Sequence, residues 1–583
     1  MTDKFTVLPI FYNLLTYNYV YLTLTIYYYL MKTHLFFLSF FISLNTFSQW
    51  NNSNSINTPV GVAPKSQSNV HCVADSKGGV VMTWDDNRNS LTTLNDIYAQ
   101  RLNAGGVRKW VLYGSVICNN AATQKSPSIT EAGNGSVIIT WEDNRAGNYD
   151  IYAQKIDSSG TVLWATNGIA VCNKTTNQKN PKIVGDNAGG AIVVWEDSLN
   201  FYWDVYAQRI SSTGSLMWTA GGVPVCSAAN TQVNPKLDVD GLGGAIFTWQ
   251  DKRNNSDYDI YAQRVDASGT VQWTANGVAI CNAINTQSNP RIEPDGANGA
   301  IIGWVDKRNS TDYNIFAQRI NSTGTIQWTA NGVSVCAAAN NQSALDMKYI
   351  GSTGVVLSWK DDRVNTNEIY AQLVSLSGTP QLTTNGIKLS NALKSINPNT
   401  VSDGSGGAII AWQDSTSLGW DITSQKLNSA GVIQWPNGGV IVSNAGDDQI
   451  NASQVADGNG GAIYTWDDHR NGSDYDIYAH HLYFDGNPMV GIKESTANNT
   501  LQSSCFPNPI SFNTTIQLKN NTLYSDWDLT IFDSFGRLIQ TQHLKSNESY
   551  NLNSYNYEAG VYFYFINFKN QNTSTKGSFI SVK

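Results

Sequence analysis

Charge is scarce in this chain. Asp, Glu, Lys and Arg make up only 14% of its 583 residues, the formal net charge is −8, and Lys and Arg never gather into a basic cluster. A phosphate backbone demands such a cluster, so a nucleic-acid partner is excluded. Histidine is rarer still, with His469, His480 and His481 close together in sequence. Neither Ser-His-Asp nor two-His metal spacing is evident. The seven cysteines include no CxxC pair, which removes the usual zinc and redox motifs. Helical periodicity is missing as well: from Trp50 to Gly486 no segment repeats apolar residues at i, i+3, i+4. What is plentiful is 18 Trp, 28 Tyr and 48 Gly, the aromatics lying in short segments rich in Val and Ile. That is the profile of an all-β extracellular protein.

The aromatics fall at a fixed interval. Trp141 to Ile156 reads WEDNRAGNYDIYAQKI, and variants of it recur down the chain, with the lead Trp at 84, 141, 195, 249, 304, 359, 412 and 466. Eight copies at one period define a repeat architecture. One unit runs from Asn180 to Cys226. NPKIVGD is extended, NAGG is a turn, and AIVVWED is apolar on both faces like a strand buried on both sides. The polar loop SLNFYW leads to DVYAQRI, a third strand; SSTG turns again, and the segment from SLMW to GGVPVC supplies the fourth. Four antiparallel strands per unit, repeated without spacers, predict an all-β chain built as an eight-bladed β-propeller over residues 50–487. The competing arrangement is a drifting open stack. Trp50 is in phase with the second repeat Trp (110, 164, 218, 273, 328, 435, with Leu382 once). Residues 50–62 are therefore expected to supply the outer strand missing from the blade formed by 452–486, which removes an open sheet edge.

Repetition also assigns roles. The lead Trp is a packing residue between blades. Asp and Arg of WxDxR, on the loop after the second strand, are expected to pair and tie that loop down. Calcium is the alternative use of such loops, with Asp251, Asp257 and Asp259 as its candidates and Asp238-x-Asp240-Gly a weaker one. Beyond that, no cofactor is expected. Five cysteines in phase (118, 172, 226, 281, 336) alternate with Ser390 and Ser443. Facing sheets stand about 10 Å apart, too far for a disulfide, so these read as small core residues. The turn DSSGTVLW from Asp157 to Trp164, with DASGTVQW and NSTGTIQW, is similar to the Asp-box of sialidase-type propellers, though one or two residues longer. In that family the turn is a fold element remote from catalysis, so the resemblance implies a propeller and nothing about sialic acid.

A ligand site must be asymmetric, so the units that abandon the pattern are the candidates. Unit three loses the loop Arg and reads WEDSLNFYWD, with Phe201, Tyr202 and Trp203. Unit seven reads WQDSTSLGWD, with Leu418 and Trp420. Exposed aromatics there would stack on sugar rings or anchor a protein; the competing reading is that they fill the space the Arg vacated. Recognition, adhesion or scaffolding by a monomer is the primary expectation. The alternative is a carbohydrate-active enzyme, a glycosidase or lyase, on the same scaffold. The Arg residues are nearly all in register, which argues against a sialidase-like cluster, but a glycosidase carboxylate pair stays open because Asp is abundant on the loops.

The two ends of the chain are of another kind. Met31-Lys32-Thr33-His34, the run LFFLSFFISL and NTFSQ have the layout of a signal peptide over 31–49, cleaved near Ser48 or Gln49. Residues 1–30 then read as upstream DNA translated from a misplaced start. A membrane anchor within 1–47 is the alternative, weakened by the Asn and Thr that interrupt YNLLTYNYVYLTLTIYYYL. Past Gly486 the period stops: 488–504 is a polar linker, and 505–583 alternates apolar strands around the DSFGR hairpin, a small β-sandwich. Pro507-Asn508-Pro509, Asp533 to Arg537 with Gly536, Gly560-Val561-Tyr562 and the closing Lys576 to Lys583 resemble the type A C-terminal sorting domain of the Bacteroidota type IX secretion system. The resemblance implies handling by that machinery, export across the outer membrane, and release or attachment at the surface.

Overall fold

The computed structural model describes residues 50–488, apart from 52, 91–93 and 200, together with 502–506, 510, 514–519, 526–534, 537–545, 548–568 and 574–581. The expected upstream start, the signal peptide and nearly all of the linker lie outside the described residues, as do Pro507, Asn508, Pro509 and Gly536. Two compact units divide between Met489 and Val490.

The larger unit consists of eight four-stranded antiparallel sheets, the blades of a β-propeller. Blade three shows the pattern: inner strand Gln178–Gly185, then Ala191–Leu199, Tyr202–Ile210 and outer strand Val223–Cys226. The doubly apolar second strand does what its composition demands, with Ala191 to Trp195 wholly removed from solvent. Its lead residue Trp195 packs on Ile151, Ala153, Val171 and Cys172 of blade two, so each Trp cements its own blade to the preceding one.

Every inner strand enters through a bulge. Its third residue has a left-handed backbone: Asn in six blades, Ser126 and Ala344 in the other two, with φ near that of Asn180 (54°). Asn tolerates that conformation better than other non-glycine residues. In blade three the register slips between Lys179 and Lys182. The bulge turns backbone N–H groups toward the preceding blade, where Glu142 Oε1 accepts from Asn180 (2.9 Å) and Glu196 Oε1 from Asn234 (2.8 Å).

A second stitch runs along the opposite end of the blades. The Trp110 indole donates to Ser158 O (3.2 Å) and lies over Gly160, in the turn of the next blade. Trp164, Trp218, Trp273, Trp328 and Trp435 repeat the contact. The eighth blade takes its outer strand from the far end of the unit: Thr58–Gly61 pairs with Asp476–Leu482, Thr58 facing Ala479. Trp50 then donates to Ala104 O of blade one (2.8 Å), which completes the ring.

The smaller unit is a β-sandwich. The strands Gln502–Phe506, Thr514–Lys519 and Tyr550–Leu552 form one sheet; Leu538–Leu544, Trp527–Asp533, Gly560–Phe568 and Ser574–Ser581 form the other. Trp527, Ile531, Tyr564 and Phe579 lie in its core. Gly560 opens the strand that carries Tyr562, a buried ring stacked on Phe579 at 5.2 Å. Arg537 closes the hairpin with its Nε 2.6 Å from Asp533 Oδ2.

Candidate functional site

In six blades the WxDxR loop is a closed clamp. Asp143 accepts from Arg145 Nε (2.8 Å), Arg145 Nη2 (2.6 Å) and the Trp141 indole (2.9 Å), while the guanidinium lies 3.9 Å over the Tyr152 ring. All five in-phase cysteines are free, buried thiols, and four of them sit beneath these clamps; Cys118 Sγ is 3.2 Å from Arg145 Nη2. Among the calcium candidates, Asp251 is held by Arg253 and Trp249 in the same way. Asp257 and Asp259 both accept from Asn254, at 2.6 and 3.1 Å. Burial, with Asp257 and Asp251 nearby, pushes Asp259 up to about 7. Among the described residues no three His, Cys, Asp or Glu side chains converge as a cation cage.

Blade three replaces its missing Arg from another segment. Lys174, on the connection from blade two, places Nζ 2.8 Å from Asp197 Oδ2 and 3.9 Å over the Tyr206 ring. A lysine, and none of the three aromatics, stands where the guanidinium would be. Sequence reasoning missed it, although the signal was there: the equivalent positions are Asn120, Ala228, Ala283 and Ala338. In blade seven the arginine and the tyrosine beneath it are lost together. Asp414 turns to Ser395 (2.5 Å) and Trp412 (2.7 Å), with Thr423 in the tyrosine's place.

Freed from the clamp, the second and third strands of blade three run on to pair Leu199 with Tyr202. Phe201 follows in a left-handed conformation (φ 73°) and is fully exposed; Tyr202 is 48% exposed. Trp203 is half-buried, its ring 5.7 Å from Lys179 Nζ. Trp420 is half-buried beside exposed Leu418, and its backbone N–H donates to Asp448 Oδ1 (3.1 Å). Blades three and seven are four apart in a ring of eight. Phe201, Tyr202 and Trp203 adjoin one another in the chain, and Trp420 lies across the ring from them.

At the inner edge of blades three and four is a cavity of about 410 Å³. Its wall includes Asn180, Lys182, Glu196, Asn234 and Lys236. Lys182, Lys236, Arg291 and Asp346 occupy one register position on four successive inner strands; Asn399, Ser453, His71 and Ser128 hold it on the other four. At that position charged side chains are confined to four successive blades. Arg291 pairs with Asp346 (3.3 Å) and Lys348 with Glu293 (2.9 Å). Burial lowers the Lys182 ammonium, helped by Arg291, and lowers Lys236 further with both Arg291 and Lys182 facing it. Burial also raises Glu196 against the hydrogen bonds that hold its ionised form.

Residues 504–580 match the family described as the secretion system C-terminal sorting domain. That segment is a sorting domain. The protein is accordingly handled by the type IX secretion machinery and delivered to the cell surface or the extracellular space. No curated protein matches the chain. Among solved structures, puromycin hydrolase is similar at 10% identity over 72% of this chain, with a TM-score of 0.40; the chain spans 61% of that protein's length. Penicillium chrysogenum α-L-arabinanase complexed with arabinobiose is 10% identical, over 53% of this chain and 94% of its own, at 0.32. The endo-arabinase from Bacteroides thetaiotaomicron VPI-5482 is 13% identical, over 45% and 97%, at 0.26. At such identities and scores these proteins lend this chain no activity.

Proposed function

We propose that the exported propeller is a recognition module whose ligand, a glycan or a protein, binds the rim where blade three raises Phe201, Tyr202 and Trp203. The observation that carries this reading is Phe201: a large apolar ring, fully exposed, on a left-handed backbone. For a non-glycine residue that conformation costs about 1–2 kcal/mol, and the ring recovers nothing from the fold. Binding is what such a ring recovers its cost from, and aromatic anchors dominate contact energies at recognition surfaces. The enzyme reading has less support: the cavity wall carries one carboxylate, Glu196, already holding a backbone N–H, whereas glycoside hydrolysis uses two.

The test is the pair Phe201→Asn and Tyr202→Thr, measured on a glycan array and against intact cells. Asn suits a left-handed turn, so the variant should melt no lower than the parent. Binding should weaken at least about tenfold. A variant that binds like the parent sinks the proposal.

A further inference from the structure

We infer that the cavity between blades three and four is a binding site for a small oxyanion, a carboxylate or sulfate group received by Lys182 and Lys236. The placement is the first argument. Lys182, Lys236 and Arg291 hold the same register position on three neighbouring inner strands, and like charges side by side at a partly desolvated edge repel. Packing alone gains nothing from them there.

The second argument is which charges are left over. Arg291 is neutralised by Asp346, and Asp346 Oδ2 accepts the Thr400 N–H as well (2.7 Å). Among the described residues Lys182 and Lys236 form no ion pair. Lys236 donates only to Asn234 Oδ1 (2.6 Å) and Pro235 O (3.4 Å). The carboxylates facing them, Glu142 and Glu196, attract them without forming an ion pair, and each is committed to a backbone N–H. Glu142 has one oxygen on the Asn180 N–H and the other 3.6 Å from Lys125, and Glu196 holds the Asn234 N–H. His71, the remaining titratable group facing Lys182, is held down to about 4 by burial and that lysine, so it is neutral above pH 6. Two lysines without an ion pair therefore line a cavity of about 410 Å³, within the size range of small-ligand pockets.

An oxyanion between the two ammoniums offsets the repulsion between them and from Arg291. This site does not depend on the aromatic hairpin, and either can fail alone.

The experiment is calorimetric titration of the full secreted chain with sodium sulfate, sodium glucuronate and glucose at pH 7.5. Both anions should bind saturably, and glucose should not bind. Lys182→Gln with Lys236→Gln should weaken binding at least about tenfold, without lowering the melting temperature, because a repulsion is removed. Glucuronate binding tighter than sulfate assigns the oxyanion to an acidic saccharide; equal affinities assign a free oxyanion. The inference is overturned if neither anion saturates, if the double variant binds as the parent does, or if it melts markedly lower, which would make the lysines structural.

Discussion

Asp143 accepts the Trp141 indole, the Arg145 guanidinium and the Arg145 backbone N–H at once, which fixes a packing residue, a loop and a charge with one carboxylate. The same arithmetic of donors explains the exceptions. In blade three Asp197 is drawn to Lys174 and Thr176, and the Trp195 indole is left without a hydrogen-bond partner among the described residues. In blade six Leu382 stands where the stitching Trp belongs, against Gly431. Leu382→Trp supplies the missing indole donor to the next turn, so we expect a gain of about 1 kcal/mol, read as a rise in the urea midpoint at unchanged slope. His480 is the opposite case. Seven blades carry Gln here, bridging to the outer-strand segment as Gln154 does to Ala165 O (2.7 Å). His480 is fully buried, neither ring nitrogen has a partner among the described residues, and burial lowers it to about 3. Its folded value lies below its unfolded value of about 6.5. The unfolded chain therefore binds the extra proton, and the stability present above pH 6.5 is lost as pH falls toward 3. His480→Gln should flatten that loss: its melting temperature should exceed the parent's by a margin that widens from pH 7 to pH 4. A margin independent of pH refutes the assignment.

At the level of the strand, the inner bulge and the blade-three hairpin divide what could be read from sequence from what could not. AIVVWED announces a doubly buried strand and DIYAQ its neighbour because eight copies repeat the same burial. The WxDxR pair was equally plain, since both partners lie within one loop. Lys174 was less plain: it serves blade three from the connection behind blade two, and its signal is a departure from Asn and Ala at that phase, away from the loop that lost its Arg. The aromatic candidates already divide in sequence between units three and seven, four units apart, so Trp420 stands apart from the other three on the repeat count alone. The cavity could not be seen, because Lys182 and Lys236 lie one whole repeat apart and become neighbours only when inner strands line up edge to edge. The asymmetric features, those that carry function, are the least repeated and so the least legible.

For the molecule as a whole, the first described residues are its lock. Trp50 is buried against blade one, Asn57 bridges Arg470 Nη2 (2.8 Å) and Ser443 Oγ (2.9 Å), and Arg470 Nη1 donates to Ile56 O (2.7 Å). One short segment thus joins blades seven, eight and one. Deleting residues 50–61 removes a buried Trp, a loss of about 3–5 kcal/mol by itself, and leaves Asp476–Leu482 as an unpaired edge. The melting temperature should fall by on the order of 10 °C. The deleted protein should also associate with rising concentration in size-exclusion chromatography, as open edges pair between molecules, while Trp50→Ala alone should lower stability and stay monomeric. The two variants separate the stitch from the strand: if the deletion behaves as the point variant does, the closing strand contributes little, and the ring is held by blade-to-blade packing through the lead Trp residues alone.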